Sequence, residues 1–138
     1  MIKKIGILSL ALIGFTACEK DDDSDTSKPV ITLETPSNEQ EYEPGDNISV
    51  KGSITDNEAL SSYKVDIHYG GDHDHGKVAS EWTYNQTWEA SGKSLEFEHS
   101  ISIPADTEHG EYHLIVYATD DAGNEAEFVN VDVIIEVD

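Results

Sequence analysis

"GEYHLIVYATDDAGN", residues 110–124, alternates apolar and polar side chains as far as Thr119 and then breaks into a run of turn formers. On an extended chain Tyr112, Leu114, Val116 and Ala118 lie on one side, which turns His113, Ile115, Tyr117 and Thr119 to the other. A period of two over this length predicts a strand with one face on a core, and Asp120-Asp121-Ala122-Gly123-Asn124 is the turn that ends it.

Working outward, the same period predicts strands over residues 30–34, 47–54, 62–69, 81–89, 94–103 and 125–137, in addition to 110–119. Glu43-Pro44-Gly45-Asp46, Thr55-Asp56-Asn57, Gly70-Gly71, Ser91-Gly92 and Pro104-Ala105-Asp106 punctuate them as turns. No helical period of useful length appears. Seven strands in about 110 residues predict an all-β fold, an antiparallel sandwich of two packed sheets. On 62–69 the parity gives Tyr63, Val65, Ile67 and Tyr69 to the core and turns Lys64, Asp66 and His68 outward.

The N-terminus carries a different message. Residues 1–17, MIKKIGILSLALIGFTA, start with two lysines, run apolar from Ile5 to Phe15 and end in small residues, the pattern of a secretory signal peptide. The apolar run is about half of the ~20 residues that a membrane-spanning helix needs. Cys18 is the only cysteine, so no disulfide forms within the chain. Phe15-Thr16-Ala17-Cys18 resembles the bacterial lipobox, which implies acylation of Cys18 and a membrane anchor through that lipid. Residues 18–28 then read as an acidic tether, since EKDDDSDTSK holds no large apolar residue. Its start, Glu19-Lys20-Asp21-Asp22-Asp23, resembles the surface-export signal of Bacteroidetes lipoproteins. The expected domain is 29–138, and the expected location is the cell envelope, at the outer membrane and facing outward. The formal charge is −21, all eight basic residues are lysines, and loss of Lys3 and Lys4 with the signal would make it more negative still. Such a surface repels nucleic acid and attracts cations.

Two longer stretches, "PGDNISVKGSITDNEALSSYKVDI" (44–67) and "ISIPADTEHGEYHLIVYATDDAGNEAEF" (101–128), resemble bacterial immunoglobulin-like or fibronectin-III-like domains. The resemblance covers nearly all of residues 29–137 and implies a fold without implying an activity. A histidine-rich insert after residue 69 narrows it to short Bacteroidetes lipoproteins catalogued as a domain of unknown function.

That insert is the best functional pointer. "IHYGGDHDHGK", residues 67–77, holds His68, His73 and His75. In the fold that the resemblance implies, strands 62–69 and 110–119 are antiparallel neighbours. If Tyr69 pairs with Tyr112, His68 stands directly opposite His113, with Cβ atoms ~5 Å apart. The same topology brings Asp72, His73, Asp74, His75 and His109 to that end of the sandwich. Neutral imidazoles suit zinc or copper, and three or four of them make a site. Asp72 and Asp74 would orient imidazoles or supply a carboxylate, and His109 stands in reserve. The competing reading is a hydrated Asp/His loop that holds no ion. His99 shares parity with Phe97 and Ile101 and is expected inside as a hydrogen-bonded core residue.

Two further sets compete with the histidines. Asp56, Asp120, Asp121 and Asn124 share the opposite end of the sandwich and offer the oxygen ligands that Ca2+ takes, although Asp and Asn in such turns commonly bond to local backbone. Trp82, Tyr84 and Trp88 share one parity, and if exposed they would form a stacking platform for a glycan, the basis of an alternative reading as an adhesion module. No serine sits in a nucleophile-elbow context and no catalytic set is visible, so the expectation is binding, not catalysis.

Overall fold

A computed structural model describes residues 24–71 and 82–138; the expected signal peptide and Cys18, and with them Asp72, His73, Asp74 and His75, lie outside the described residues. Eight strands follow in order: β1 (Val30–Thr35), β2 (Gln40–Tyr42), β3 (Asn47–Thr55), β4 (Leu60–Tyr69), β5 (Tyr84–Glu89), β6 (Ser94–Ser102), β7 (Gly110–Asp120) and β8 (Val129–Ile135). They form two sheets, β1-β3-β6 and β2-β8-β7-β4-β5. The described residues contain no helix.

Alternation explains both sheets. On β3, Ile48, Val50 and Ile54 point inward and are buried, whereas Asn47, Ser49 and Lys51 face solvent. β4 and β7 do the same with Tyr63, Val65 and Ile67 against Tyr112, Leu114, Val116 and Ala118. These two strands are antiparallel neighbours in the register expected from the sequence, running from Tyr69↔Tyr112 through Val65↔Val116 to Tyr63↔Ala118. The inner faces of the two sheets meet as one core, and each fully buried Ile, Leu or Val in it contributes roughly 1.5–3 kcal/mol. Gly52 sits on β3 where no side chain fits, since a Cβ would lie 2.3 Å from the Thr32 carbonyl and 2.8 Å from the Phe97 ring.

Tyr112 ties the start of β7 to the chain before it. It is fully buried, its ring packs edge-on against Tyr69 at 5.4 Å, and its hydroxyl donates to the Glu108 carbonyl at 2.9 Å. This is the tyrosine corner of immunoglobulin-like sandwiches.

Two expectations need correction, and one segment adds contacts of its own. The strand count is eight, not seven, because Gln40–Tyr42 adds β2, which pairs in parallel with β8. Three residues with a polar pair at their head cannot show a period. The last strand begins at Val129 and not at 125: before it Glu125 makes a single bridge to Thr119, Ala126 bonds to Ala118, and Phe128 is exposed. Residues 24–28, assigned to the tether, are in contact with the domain. Lys28 pairs with Glu127 at 2.9 Å, and Asp25 accepts from the Asn57 side chain at 2.9 Å.

Candidate functional site

The exposed face of the five-stranded sheet carries the first candidate. The register places His68 on β4 directly beside His113 on β7, and His113 directly beside Asp132 on β8. The two imidazole rings meet edge-on with centroids 5.6 Å apart. Each is held by a carboxylate: His68 Nδ1–H donates to Asp66 at 2.6 Å, and His113 Nδ1–H donates to Asp132 at 2.6 Å. With Nδ1 protonated in both rings, the lone pair of the neutral imidazole sits on Nε2. Asp66 is itself fixed by the Asn85 amide at 2.6 Å, and Asp132 by its backbone N–H donating to Asn38 at 2.9 Å. Glu111, His113 and Asp132 have ligating atoms all within 4.8 Å of one another, a group that does not include His68. The His113 ring packs on Gly70, where a Cβ would lie 2.5 Å from Nε2, so only glycine admits the ring where the chain leaves β4.

Of the candidates named from the sequence, His68 and His113 are therefore brought together. His109 is mostly exposed, with Nδ1 3.1 Å from its neighbour Glu108, and belongs to neither group of converging ligands among the described residues. Asp132 and Glu111 were not anticipated. Asp66 was placed on the outer face with His68, but its hydrogen bond was not foreseen. A signal existed for Glu111, which shares parity with His113; none existed for Asp132, whose alignment depends on where β8 begins.

His99 is half-buried on β6, as its parity implied. Its Nε2 is 2.8 Å from the Tyr63 hydroxyl and its ring stacks on Trp88 at 3.8 Å, nearly parallel. Burial disfavours the imidazolium and holds its pKa below the ordinary imidazole value. The unfolded chain therefore takes up the proton first, so this contribution to stability is full above the unfolded value of about 6.5 and is lost as pH falls toward the folded one. Replacing His99 with Gln is expected to flatten the fall in denaturation midpoint between pH 7.5 and pH 5; an unchanged fall would remove His99 as its source.

The aromatic stripe packs against the core. Trp88 stacks inward on His99 and Tyr63, Trp82 lies 6.1 Å from the Tyr112 ring, and Tyr84 packs against the core with both. All three are partly buried, and the reason is that β5 sits beside β4 with Trp88 opposite Tyr63 and Tyr84 opposite Ile67, both inward positions.

At the other end of the sandwich the oxygen candidates separate. Asp56 and Asp120 come together, and Asp25, from the segment before β1, joins them. Asp121 is exposed and outside that group. Asn124 acts as a donor, with its side chain reaching both Asp120 and the Asp25 carbonyl at 2.8 Å. Burial pushes the Asp120 carboxyl up, but hydrogen bonds from the Asn124 side chain, from the Asn124 and Ala122 backbone and from the Asp25 side chain outweigh it and hold the group below the usual carboxylate range.

Among solved structures the chain is similar to Spo0M, a sporulation control protein of Bacillus subtilis, with 14% identity and a TM-score of 0.49 over 80% of this chain and 49% of that one. It thus spans about half the length of the Spo0M chain. It is also similar to the fibronectin(III)-like modules of Clostridium thermocellum CbhA, with 18% identity and a TM-score of 0.48 over 79% of this chain and 98% of that one. No curated protein matches the sequence. One family model matches residues 16–135, nearly the whole chain, and the chain belongs to that family, described as a domain of unknown function, DUF4625.

Proposed function

We propose that the protein is a lipid-anchored module of the cell envelope, held through Cys18, that captures or senses a transition metal ion at His68 and His113. Zinc is the first choice and copper the second. The observation that carries this reading is the pair of cross-strand imidazoles, each with Nδ1 held by a carboxylate at 2.6 Å. That is how metal-ligating histidines are oriented and made more basic: a carboxylate on one nitrogen leaves the other to bind.

Two imidazoles sharing one zinc at ~2.1 Å must bring their nitrogens to about 3.4 Å in a tetrahedral shell. The side chains of His68 and His113 are 44% and 32% exposed, so an ion reaches both from solvent. Glu111 supplies a carboxylate ligand from the same face, and His73 and His75 are the sequence-based candidates for the rest. The negative charge of the chain raises the local concentration of cations. The reading is one of binding, since no serine of the sequence sits in a nucleophile-elbow context and the spacing selects no general base among its acids.

Calorimetric titration of zinc chloride into the metal-stripped protein tests it. His68→Ala and His113→Ala are each expected to abolish saturable binding, and Asp132→Asn, which keeps its shape but loses the charge that orients His113, to weaken it by about 10–100-fold. Unchanged affinity in both alanine variants would overturn the assignment.

A further inference from the structure

The second cluster lies at the end of the sheet away from the histidines. Seven steps along β7 lead from His113 to Asp120, about 23 Å of extended chain, so the two sites cannot share an ion. Here a carboxylate oxygen from each of Asp25, Asp56 and Asp120 lies within 4.8 Å of the others. Asp56 comes from the β3–β4 loop, Asp120 from the end of β7, and Asp25 from the segment before β1.

Two of these residues are almost removed from water. Asp120 is 2% exposed and Asp56 is 9% exposed. Asp56 Oδ2 is satisfied by the backbone N–H groups of Glu58 and Ala59 at 3.0 and 2.8 Å. Its Oδ1 is sealed from solvent and has no hydrogen-bond partner, which leaves that oxygen with lone pairs to offer. None of the ion pairs among the described residues involves Asp25, Asp56 or Asp120. The amides of Asn57, Asn124 and Ser27 orient the group, yet they carry no positive charge. Three carboxylates at one point, two of them buried, repel one another unless a cation or a proton shared between Asp25 and Asp120 lies between them, and a divalent cation relieves all three at once.

The donor set selects that cation. It is all oxygen, with no imidazole or thiolate, which favours a hard ion over zinc or copper. Two oxygens bound to one calcium at about 2.4 Å are at most ~4.8 Å apart, and calcium accepts the irregular, partly hydrated shell that three carboxylates from separate loops would provide. Magnesium demands a shorter, near-octahedral shell and dehydrates reluctantly.

We infer that Asp25, Asp56 and Asp120 form a calcium site that fastens the segment before β1 to the end of the sandwich built by the β3–β4 and β7–β8 loops. Bound calcium turns the last part of the acidic segment into an extension of the domain and sets the direction in which the chain leaves it. The inference is independent of the zinc reading, since no residue is common to the two sites.

Calcium chloride titrated into the metal-stripped, full mature chain provides the test, with calorimetry for binding and hydrogen exchange for fastening. Saturable binding is expected for calcium, and at least tenfold weaker binding for magnesium. Exchange over residues 24–28 should slow at least tenfold with calcium, since Ser27 N–H donates to Asp25. Asp56→Asn should weaken calcium binding at least tenfold. If that buried change impairs folding, Asp25→Asn, in the segment outside the strands, should do the same to binding and abolish the slowed exchange. His68→Ala should leave calcium binding intact, which separates failure of this site from failure of the zinc site. No heat with calcium, or calcium affinity unchanged in Asp25→Asn, would overturn the inference.

Discussion

Zinc is expected to raise the unfolding midpoint of the purified protein at pH 7.5 by roughly 10 °C, when present at about a hundred times its dissociation constant, and to do little at pH 5.5. The size follows from linkage: a ligand that binds only the folded state at that excess adds ~2.7 kcal/mol, and for a domain of about 110 residues each kcal/mol moves the midpoint by roughly 4 °C. The sign of the pH effect follows from the lone pairs. An imidazole must be neutral to bind a metal, so each ligand that protonates competes with zinc, and several ligands make the loss steep. In the neutral pair, Asp66 and Asp132 hold the protons of His68 and His113 on Nδ1 and leave Nε2 open. The double variant His68→Ala, His113→Ala should lose the zinc shift while keeping its metal-free midpoint within a few degrees, because both side chains lie on the outer face. His73→Ala with His75→Ala should also abolish the shift if the loop completes the shell. Calorimetric scans at the two pH values, with and without zinc, decide it. A shift that survives removal of His68 and His113 would place zinc elsewhere.

Tyr112→Ala is the substitution expected to cost most, about 3–5 kcal/mol, as for other large aromatic-to-alanine changes in a core. Tyr112 has no exposed surface, packs against Tyr69 and Trp82, and anchors the Glu108 carbonyl. Against a typical domain stability of ~5–15 kcal/mol, that loss is enough to leave part of the population unfolded at 37 °C. Tyr112→Phe separates the causes. It keeps the ring and removes the hydroxyl, so it should cost about 1 kcal/mol, the net worth of one hydrogen bond. Urea denaturation of both variants gives the comparison. Equal losses would mean that the corner hydrogen bond, and not the packing, dominates at this position.

The tertiary structure also decides what parity left open. Parity alone turned His68 outward, but it did not say which side of the sheet Trp88 takes; pairing does. Trp88 lies opposite Tyr63, an inward residue, and so stacks on His99 inside; His68 lies opposite His113 on the outer face, where an ion can reach it.

Much of the fold was legible in the chain because side-chain alternation is a property of a few consecutive residues. Tyr112, Leu114, Val116 and Ala118 declare one face of β7 without reference to any other strand, and Tyr63, Val65 and Ile67 do the same for β4. Facing two such strands in the expected register was enough to place His68 opposite His113. Beyond that, the sequence was silent wherever the deciding partner lay far along the chain. β2 exists because β8 offers an edge to three residues with no pattern of their own. Asp132 reaches His113 through the β7–β8 register, which the irregular stretch before Val129 hides. Asp25 belongs to a segment whose composition predicts a solvated leash, yet amide donors from Asn57, 32 positions on, and Asn124, 99 positions on, hold it beside Asp56 and Asp120. Local periodicity determined which residues face the core; only the pairing of distant segments decided which polar side chains meet, because such meetings depend on register and loop closure, not on any neighbour in sequence.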